Sequence, residues 1–322
     1  MHASDSFQAH PARFFFYGEK RILKQYDKPA LSTAEQAELL IKRGLTGISK
    51  EDLEKILTVI NYYRIRGYSY CYQNKDSTFK DGSCWSYIYQ DYINDIELRS
   101  LIFEALSFIE ITVRTQLEYK MSLAHGSRWY ENENLFHNQD NLKKDLDDLM
   151  GHWNRSREIF KKHYEGKYDN TLRPPAWMIF ETTTFGTVSK FFSNLRVDLE
   201  AKNEIVNFFG FTKSSAKILV SWLQHLNLVR NICAHHSRLF SRSFVIKPMI
   251  PMRQPEKWVN QWPAHDRLFP SVCIITYLLN ICAPDYDFRK KIKAVVSKFR
   301  TTQLPSMGFS PDWDKEPLFY QK

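Results

Sequence analysis

The sequence has no C-x-x-C pair, and its five cysteines, Cys71, Cys84, Cys233, Cys273 and Cys282, are an odd number. That excludes a disulfide framework and a zinc site of the usual spacing, and it points to a reducing compartment. Long apolar runs are missing as well. Phe14-Phe15-Phe16-Tyr17 is too short for a signal-peptide core, and Val272 to Ala283 is too short to cross a bilayer. The expected setting is therefore the cytoplasm, with no membrane partner. No stretch alternates apolar and polar residues between turn signals, no repeat of fixed period stands out, and there is no nucleotide-binding loop. His137, Asp145-Leu146-Asp147-Asp148, His152 and His163 are scattered without a ligand-like step and a third donor nearby, so neither a metal nor another cofactor is expected.

What is present is helical rhythm and a positive balance. At 322 residues with 43% hydrophobic and 15% aromatic content, the chain can bury a sizeable core. A formal charge of +9 favours a polyanionic partner, although so mild an excess also occurs in proteins that bind none. The expected fold class is all-α: a multi-helix bundle with an N-terminal helical extension. The expected divisions are a leader and small helical module over 1–82, the main helical domain over 83–301 and a tail over 302–322.

Residues 1 to about 28 read as a loosely attached leader with a basic patch, Lys20, Arg21 and Lys24. Ser32 and Glu35 make a capping-box pattern for a helix to about Arg43, where Gly44 can end it, and Ser49 to Asp52 start a second helix alike. The second helix leads into Asn61 to Tyr70, where Tyr62, Tyr63, Tyr68 and Tyr70 interleave with Arg64 and Arg66. These residues fit either an aromatic core cluster with snorkelling arginines or a surface that stacks and neutralises single-stranded nucleic acid. From about Ser83 to Ala124 there is no proline or glycine, which predicts one long helix or two nearly continuous ones. Asp95 and Arg99, and Glu110 and Arg114, stand at the i,i+4 spacing of intrahelical ion pairs. Further helices are expected over about 176–192, with Gly186 at the middle for close approach, and over 201–209, 270–282 and 286–299. Pro248, Pro251 and Pro255 mark a loop, and the tail after Pro305 is expected to lie over the surface.

The chemistry concentrates between Ser214 and Arg242. Leu219, Trp222, Leu226, Val229 and Cys233 recur at helical steps, and Asn227, Asn231, His235 and Arg238 fall within about 80° on the opposite side of an unbroken helix. Arg230-Asn231-Ile232-Cys233-Ala234-His235-His236-Ser237-Arg238 sets two histidines between two arginines, as a site that handles phosphate requires. On that wheel Arg230 lies about 140° from His235. Either its stem curls around the helix, or a second copy of the helix supplies the partner across a two-fold dimer.

In order along the chain, these segments resemble the Abi family of abortive-infection (phage-defence) proteins, within the HEPN superfamily of helical nucleases. They are Glu35-Gln36 with Leu39-Leu40 and Arg43-Gly44-Leu45; Tyr62-Tyr63-Arg64 with Gly67-Tyr68; Asp95, Leu98-Arg99 and Ile109-Glu110 with Arg114-Thr115; Pro175-Ala176-Trp177; Phe185-Gly186-Thr187 with Ser189-Lys190; and Trp222-Leu223 through Val229-Arg230-Asn231 to Ala234-His235-His236-Ser237-Arg238-Leu239. Asn94 departs from the pattern, which has an aromatic before the aspartate, and so does Phe240-Ser241, where Trp-Asn is frequent. The resemblance implies an R-x4-6-H catalytic motif, matched by Arg230 and His235 with Asn231 as the polar residue after the arginine, and two copies meeting in a dimer.

The implied reaction is metal-independent RNA cleavage, in which a 2′-hydroxyl attacks the neighbouring phosphorus. His235 would transfer the proton, Arg230 would hold phosphate, Asn231 would orient His235 or bind phosphate, and His236 would carry a second proton or pack. The rival reading is a non-catalytic module that holds a small structured RNA or tRNA through Arg64, Arg66, Arg114, Arg230, Arg238 and Arg242, with steep salt dependence. Both readings name RNA as the partner.

Overall fold

The computed structural model describes residues 27, 29–169, 172–251, 258–260 and 266–320. The basic patch at Lys20, Arg21 and Lys24, the run Phe14 to Tyr17 and Pro255 lie outside the described residues.

Ser32 opens α1 (Thr33–Lys42) by a true capping box: its side chain accepts from the Glu35 amide while the Glu35 carboxylate accepts from the Ser32 amide at 2.7 Å. Ser49 caps α2 (Lys50–Val59) by accepting from the Asp52 amide at 3.0 Å. The two helices pack on each other, and backbone hydrogen bonds tie the turn that joins them to residues 79–85. The Phe79 amide donates to the Arg43 carbonyl at 2.7 Å and the Trp85 amide to that of Thr46 at 2.8 Å. Gly47, at φ 78°, makes this close approach possible, since a Cβ there would stand 2.2 Å from Cys84 Sγ. Asn61 then caps α3 (Tyr62–Ser69).

The axis of the molecule is α4 (Trp85–His125), a single helix of 41 residues and so about 60 Å long. Its buried residues, among them Ile88, Leu98, Ile102, Leu106, Ile109, Val113, Leu117 and Met121, point in several directions, as a helix surrounded by others requires. Around it stand α3, α7 (Ala176–Ile179), α8 (Phe185–Asn194), α9 (Glu200–Phe208), α10 (Ala216–Ala234), α11 (Leu268–Cys282) and α12 (Phe288–Val296). Outside them α5 (Gln139–Arg155) covers α8, and α6 (Ile159–Lys167) comes next in the chain. The fold is all-α. Among the described residues extended backbone pairs only as isolated bridges, and no helix is long and apolar enough to cross a membrane.

The helix expected over 176–192 is broken. It runs as α7, a 3₁₀ turn over Phe180–Thr182, and then α8, which puts Gly186 at the start of a helix. Thr182-Thr183-Thr184 causes the break, because β-branched hydroxyl residues compete with the helical ladder. Thr182 Oγ1 donates to the Ile179 carbonyl at 2.7 Å, and Thr184 Oγ1 accepts from the Thr187 amide at 3.3 Å as the N-cap of α8. The tail also departs from expectation. Phe309, Trp313, Leu318 and Phe319 are buried, and Phe269 of α11 meets three of their rings at 4.9, 6.0 and 5.7 Å. Aromatic area of this size is stabilised more by docking on an apolar helix than by lying in water.

Candidate active site at the end of α10

The periodic pattern predicted a helix through Arg242, and α10 stops at Ala234 instead. The His236 amide donates to the Cys233 carbonyl at 3.0 Å and the Ser237 amide to that of Ile232 at 2.9 Å. This is a Schellman ending, in which the residue after the cap is usually glycine because it takes positive φ. Here that residue is His236, at φ 52°, so the sequence carried no glycine signal to stop the helix. His235 is the cap itself, and both histidines are exposed on the turn. Asn227 and Asn231 keep their places on the polar stripe of α10, while Arg238 leaves the wheel altogether.

Beyond the turn, the chain is held by Asp95. Its carboxylate, fully buried in α4, accepts from the Phe240 amide at 2.7 Å, the Leu239 amide at 3.2 Å and the Tyr68 hydroxyl at 2.6 Å, and it pairs with Arg99. Burial pushes this carboxyl up from the usual range, and the Tyr68 hydroxyl, Arg99 and the two amides pull the other way. Phe240 is stacked between Tyr68 at 6.4 Å and Phe299 at 5.6 Å, and Asn94 donates to the Lys298 carbonyl at 2.9 Å. The two departures from the family pattern therefore have local packing partners of their own.

Three arginines gather at the same turn. Arg64 of α3 donates to the His236 carbonyl at 2.5 Å, the Arg238 side chain lies against Gly67 and donates to the Phe240 carbonyl at 2.5 Å, and Arg242 donates to the Arg238 carbonyl at 3.2 Å. A helix C-terminus is the negative end of its dipole and by itself would repel phosphate. These guanidiniums reverse the local sign. Arg66, two residues on and so on nearly the opposite side of α3 from Arg64, is exposed between exposed Tyr63 and Tyr70.

Arg230 faces α4. Its Nε stands 3.5 Å from Glu110 Oε2, its guanidinium lies 5.5 Å from the Phe103 ring centroid, and its Nη1 reaches Asn231 Oδ1 at 3.5 Å. Those are long contacts, and the buried Nε has no hydrogen bond of good geometry. Glu110 is shared, because Arg114 also pairs with it at 3.2 Å. Arg114 is buried and donates further to Glu181 at 3.3 Å and to the Thr183 carbonyl at 3.1 Å, the carbonyl freed where α7 breaks from α8. Its hydrogen bonds serve the fold, so it stands apart from the other predicted RNA contacts.

Two shallow cavities lie on this face of α4 with Phe103 between them. One, about 230 Å³, is lined by Arg99, Phe103, Cys233 and His236; the other, about 190 Å³, by Phe103, Glu110, Arg114 and Arg230. The structure thus brings Arg230, Asn231, His235 and His236 to one end of α10, with Arg64, Arg238 and Arg242 around the turn. Sequence reasoning missed the duties of Asp95 and Glu110, although charges amid apolar positions of a helix were the available signal. Among the described residues no three His, Cys, Asp or Glu side chains are placed to share a metal ion. A further cavity, about 720 Å³, lies elsewhere, where α5, α8 and α10 meet.

No curated protein and no solved structure matches the chain. A family model described as Abi-like protein matches residues 55–241, from α2 through the loop that Asp95 clamps. That span is more than half of the chain and includes the whole of the site at the end of α10 apart from Arg242; the protein belongs to the Abi-like family, whose role is abortive infection, a defence against phage.

Proposed function

We propose that this protein is a metal-independent HEPN endoribonuclease of the cytoplasm, toxic when released during phage infection, and that its active site is the R-x4-H pair Arg230 and His235. The observation that carries this reading is the end of α10. An exposed His235 caps the helix within a cluster of cations, one turn from Asn231, while Arg230 is held by long contacts to Glu110 and Asn231 and by the Phe103 ring. In such a site the 2′-hydroxyl attacks the adjacent phosphorus as His235 takes its proton. The 5′-oxygen leaves with a proton returned by imidazole, His236 of the same turn or His235 of a second copy. Arg230 stabilises the charge that grows on the phosphoryl oxygens, and the need for a 2′-hydroxyl restricts the substrate to RNA.

A homodimer fits this chemistry. Arg230 turns to α4 and His235 to solvent, and the face of α4 beside them exposes Ile96, Phe103 and Ile111, at 36%, 41% and 56%. A second copy docked there would cover that strip and set its own α10 opposite the first.

A second reading has an observation of its own. Tyr63 and Arg66 of α3 and Tyr70, which caps its end, are all exposed at helical spacing, an aromatic–cation–aromatic ladder suited to holding a structured RNA by stacking. The two readings separate in one assay: purified protein is incubated with mixed RNAs in EDTA beside Arg230→Ala and His235→Ala. Cleavage by wild type that both variants lose supports the nuclease. RNA bound and left intact supports the holding module, and variants that cleave as well as wild type remove the catalytic assignment.

A further inference from the structure

We propose that the cavity between α5, α8 and α10 receives one guanine base of the RNA strand that is bound at the end of α10. The inference rests on the RNA-handling reading of that site and adds a base-recognition site to it. At about 720 Å³ the cavity lies within the range of small-molecule sites and is larger than a nucleobase needs. Its walls are polar: Asp145 and Lys144 from α5, Ser189 and Lys190 from α8, Gln224 and Asn227 from α10.

Asp145 is the informative residue. It is 6% exposed, yet its carboxylate accepts no hydrogen bond among the described residues, and its nearest cation, Lys190 Nζ, is 3.9 Å away. Burial, and Asp148 nearby, push its pKa up to about 6 against the pull of Lys190. With so few protein partners, this carboxylate, which opens on the cavity, is suited to a ligand that brings donors. The Watson–Crick edge of guanine carries two adjacent donors, N1–H and the N2 amino group, which match two carboxylate oxygens. Its O6 and N7 are adjacent acceptors of the kind lysine takes, and Lys144 of α5 and Lys190 of α8, which also pairs with Asp148 at 3.0 Å, line the same cavity. Adenine, uracil and cytosine each set at least one acceptor against the carboxylate, so the wall discriminates against them.

The position agrees with the chemistry. Gln224, Asn227 and Asn231 lie within about 80° of His235 on the exposed stripe of α10, and Asn227 is about 12 Å along the axis from His235. A short unstacked segment lying on this stripe can splay a base into the cavity while its phosphate meets the histidine, the manner in which single-stranded RNA is read. Gly186 admits Asn227 to the wall, since a Cβ there would stand 3.2 Å from Asn227 Nδ2.

The test is equilibrium binding of the full wild-type chain to fluorescent 2′-O-methyl oligouridylates, which cannot be cleaved, carrying one central guanosine, adenosine, cytidine or uridine. The expected result is roughly tenfold or greater preference for guanosine, lost in Asp145→Asn and reduced in Asn227→Ala, with oligouridylate affinity unchanged in Asp145→Asn. Equal affinities for all four, or a preference that Asp145→Asn keeps, would overturn the proposal and leave the nuclease reading standing. A guanosine preference in a protein that cleaves no RNA would sustain the base site and defeat the nuclease. Failure to bind any of the four would defeat both.

Discussion

Asp95 with Arg99 and Glu110 with Arg114 are the same pattern twice on one helix, a carboxylate four residues before an arginine, and the structure gives them different duties. Asp95 is sealed from water and accepts from two backbone amides 144 and 145 residues away in sequence, so it clamps the chain beyond His236. Glu110 is 13% exposed at its side chain and divides itself between Arg114 and the long contact to Arg230. The first pair fixes a loop and the second leaves an arginine under-satisfied. A buried charge is therefore read by what it accepts from elsewhere, because its own-helix partner is alike in both cases.

The widest separation of the pairs should come from removing the carboxylates. Asp95→Ala leaves Arg99, the Tyr68 hydroxyl and two amides without their acceptor, and about 3–5 kcal/mol of stability should be lost in urea denaturation. Glu110→Ala should cost about 1 kcal/mol, since that site is partly solvated. Equal losses would erase the distinction.

A histidine on the same helix supplies an internal contrast to His235. His225 is buried, with Nδ1 2.7 Å from the Ile246 carbonyl and Nε2 2.7 Å from Ser271 Oγ, and burial pushes its pKa down to about 4. The unfolded chain, near 6.5, binds more protons than the folded one between these values. Stability from this group is thus full above pH ~6.5 and is lost as pH falls toward 4, by up to about 3 kcal/mol. Melting curves across that window should show the slope in wild type and a flatter one in His225→Gln.

Glu110→Gln tests whether the second pair positions Arg230. The amide keeps the shape and loses the charge, so the cleavage rate should fall by up to about 10²-fold while the melting temperature barely moves. Unchanged cleavage would reduce Glu110 to a packing residue. The smallest effect is expected just past the end of α3: Tyr70→Ala should weaken RNA binding by about 1 kcal/mol through one lost stacking surface, read by fluorescence anisotropy. A loss much larger than this would move the main RNA contact to α3.

Local rules made much of the fold legible. Ser32 and Ser49 announced their helices, and the stretch without proline or glycine announced α4. The break between α7 and α8 escaped because Thr183 and Thr184 look like ordinary periodic residues until Arg114 takes the Thr183 carbonyl. The buried tail escaped because its aromatics have no period, only a distant partner in Phe269. At the site, Arg230, Asn231, His235 and His236 were visible as a motif. That α10 ends between Asn231 and His236 was not visible, since a histidine occupies the positive-φ position where glycine would have marked the stop. Asp95's grip on Leu239 and Phe240 depends on the tertiary fold and has no local signature.

The central claim is that the turn at the end of α10 performs RNA cleavage, and the ends of the RNA products test it most directly. Wild-type protein incubated with RNA in EDTA should leave 2′,3′-cyclic phosphate ends, and His235→Ala, folded to the same melting temperature, should reduce their yield by roughly 10²–10⁴-fold. Products ending in 3′-hydroxyl groups, or the same yield of cyclic ends from the variant, would contradict that claim.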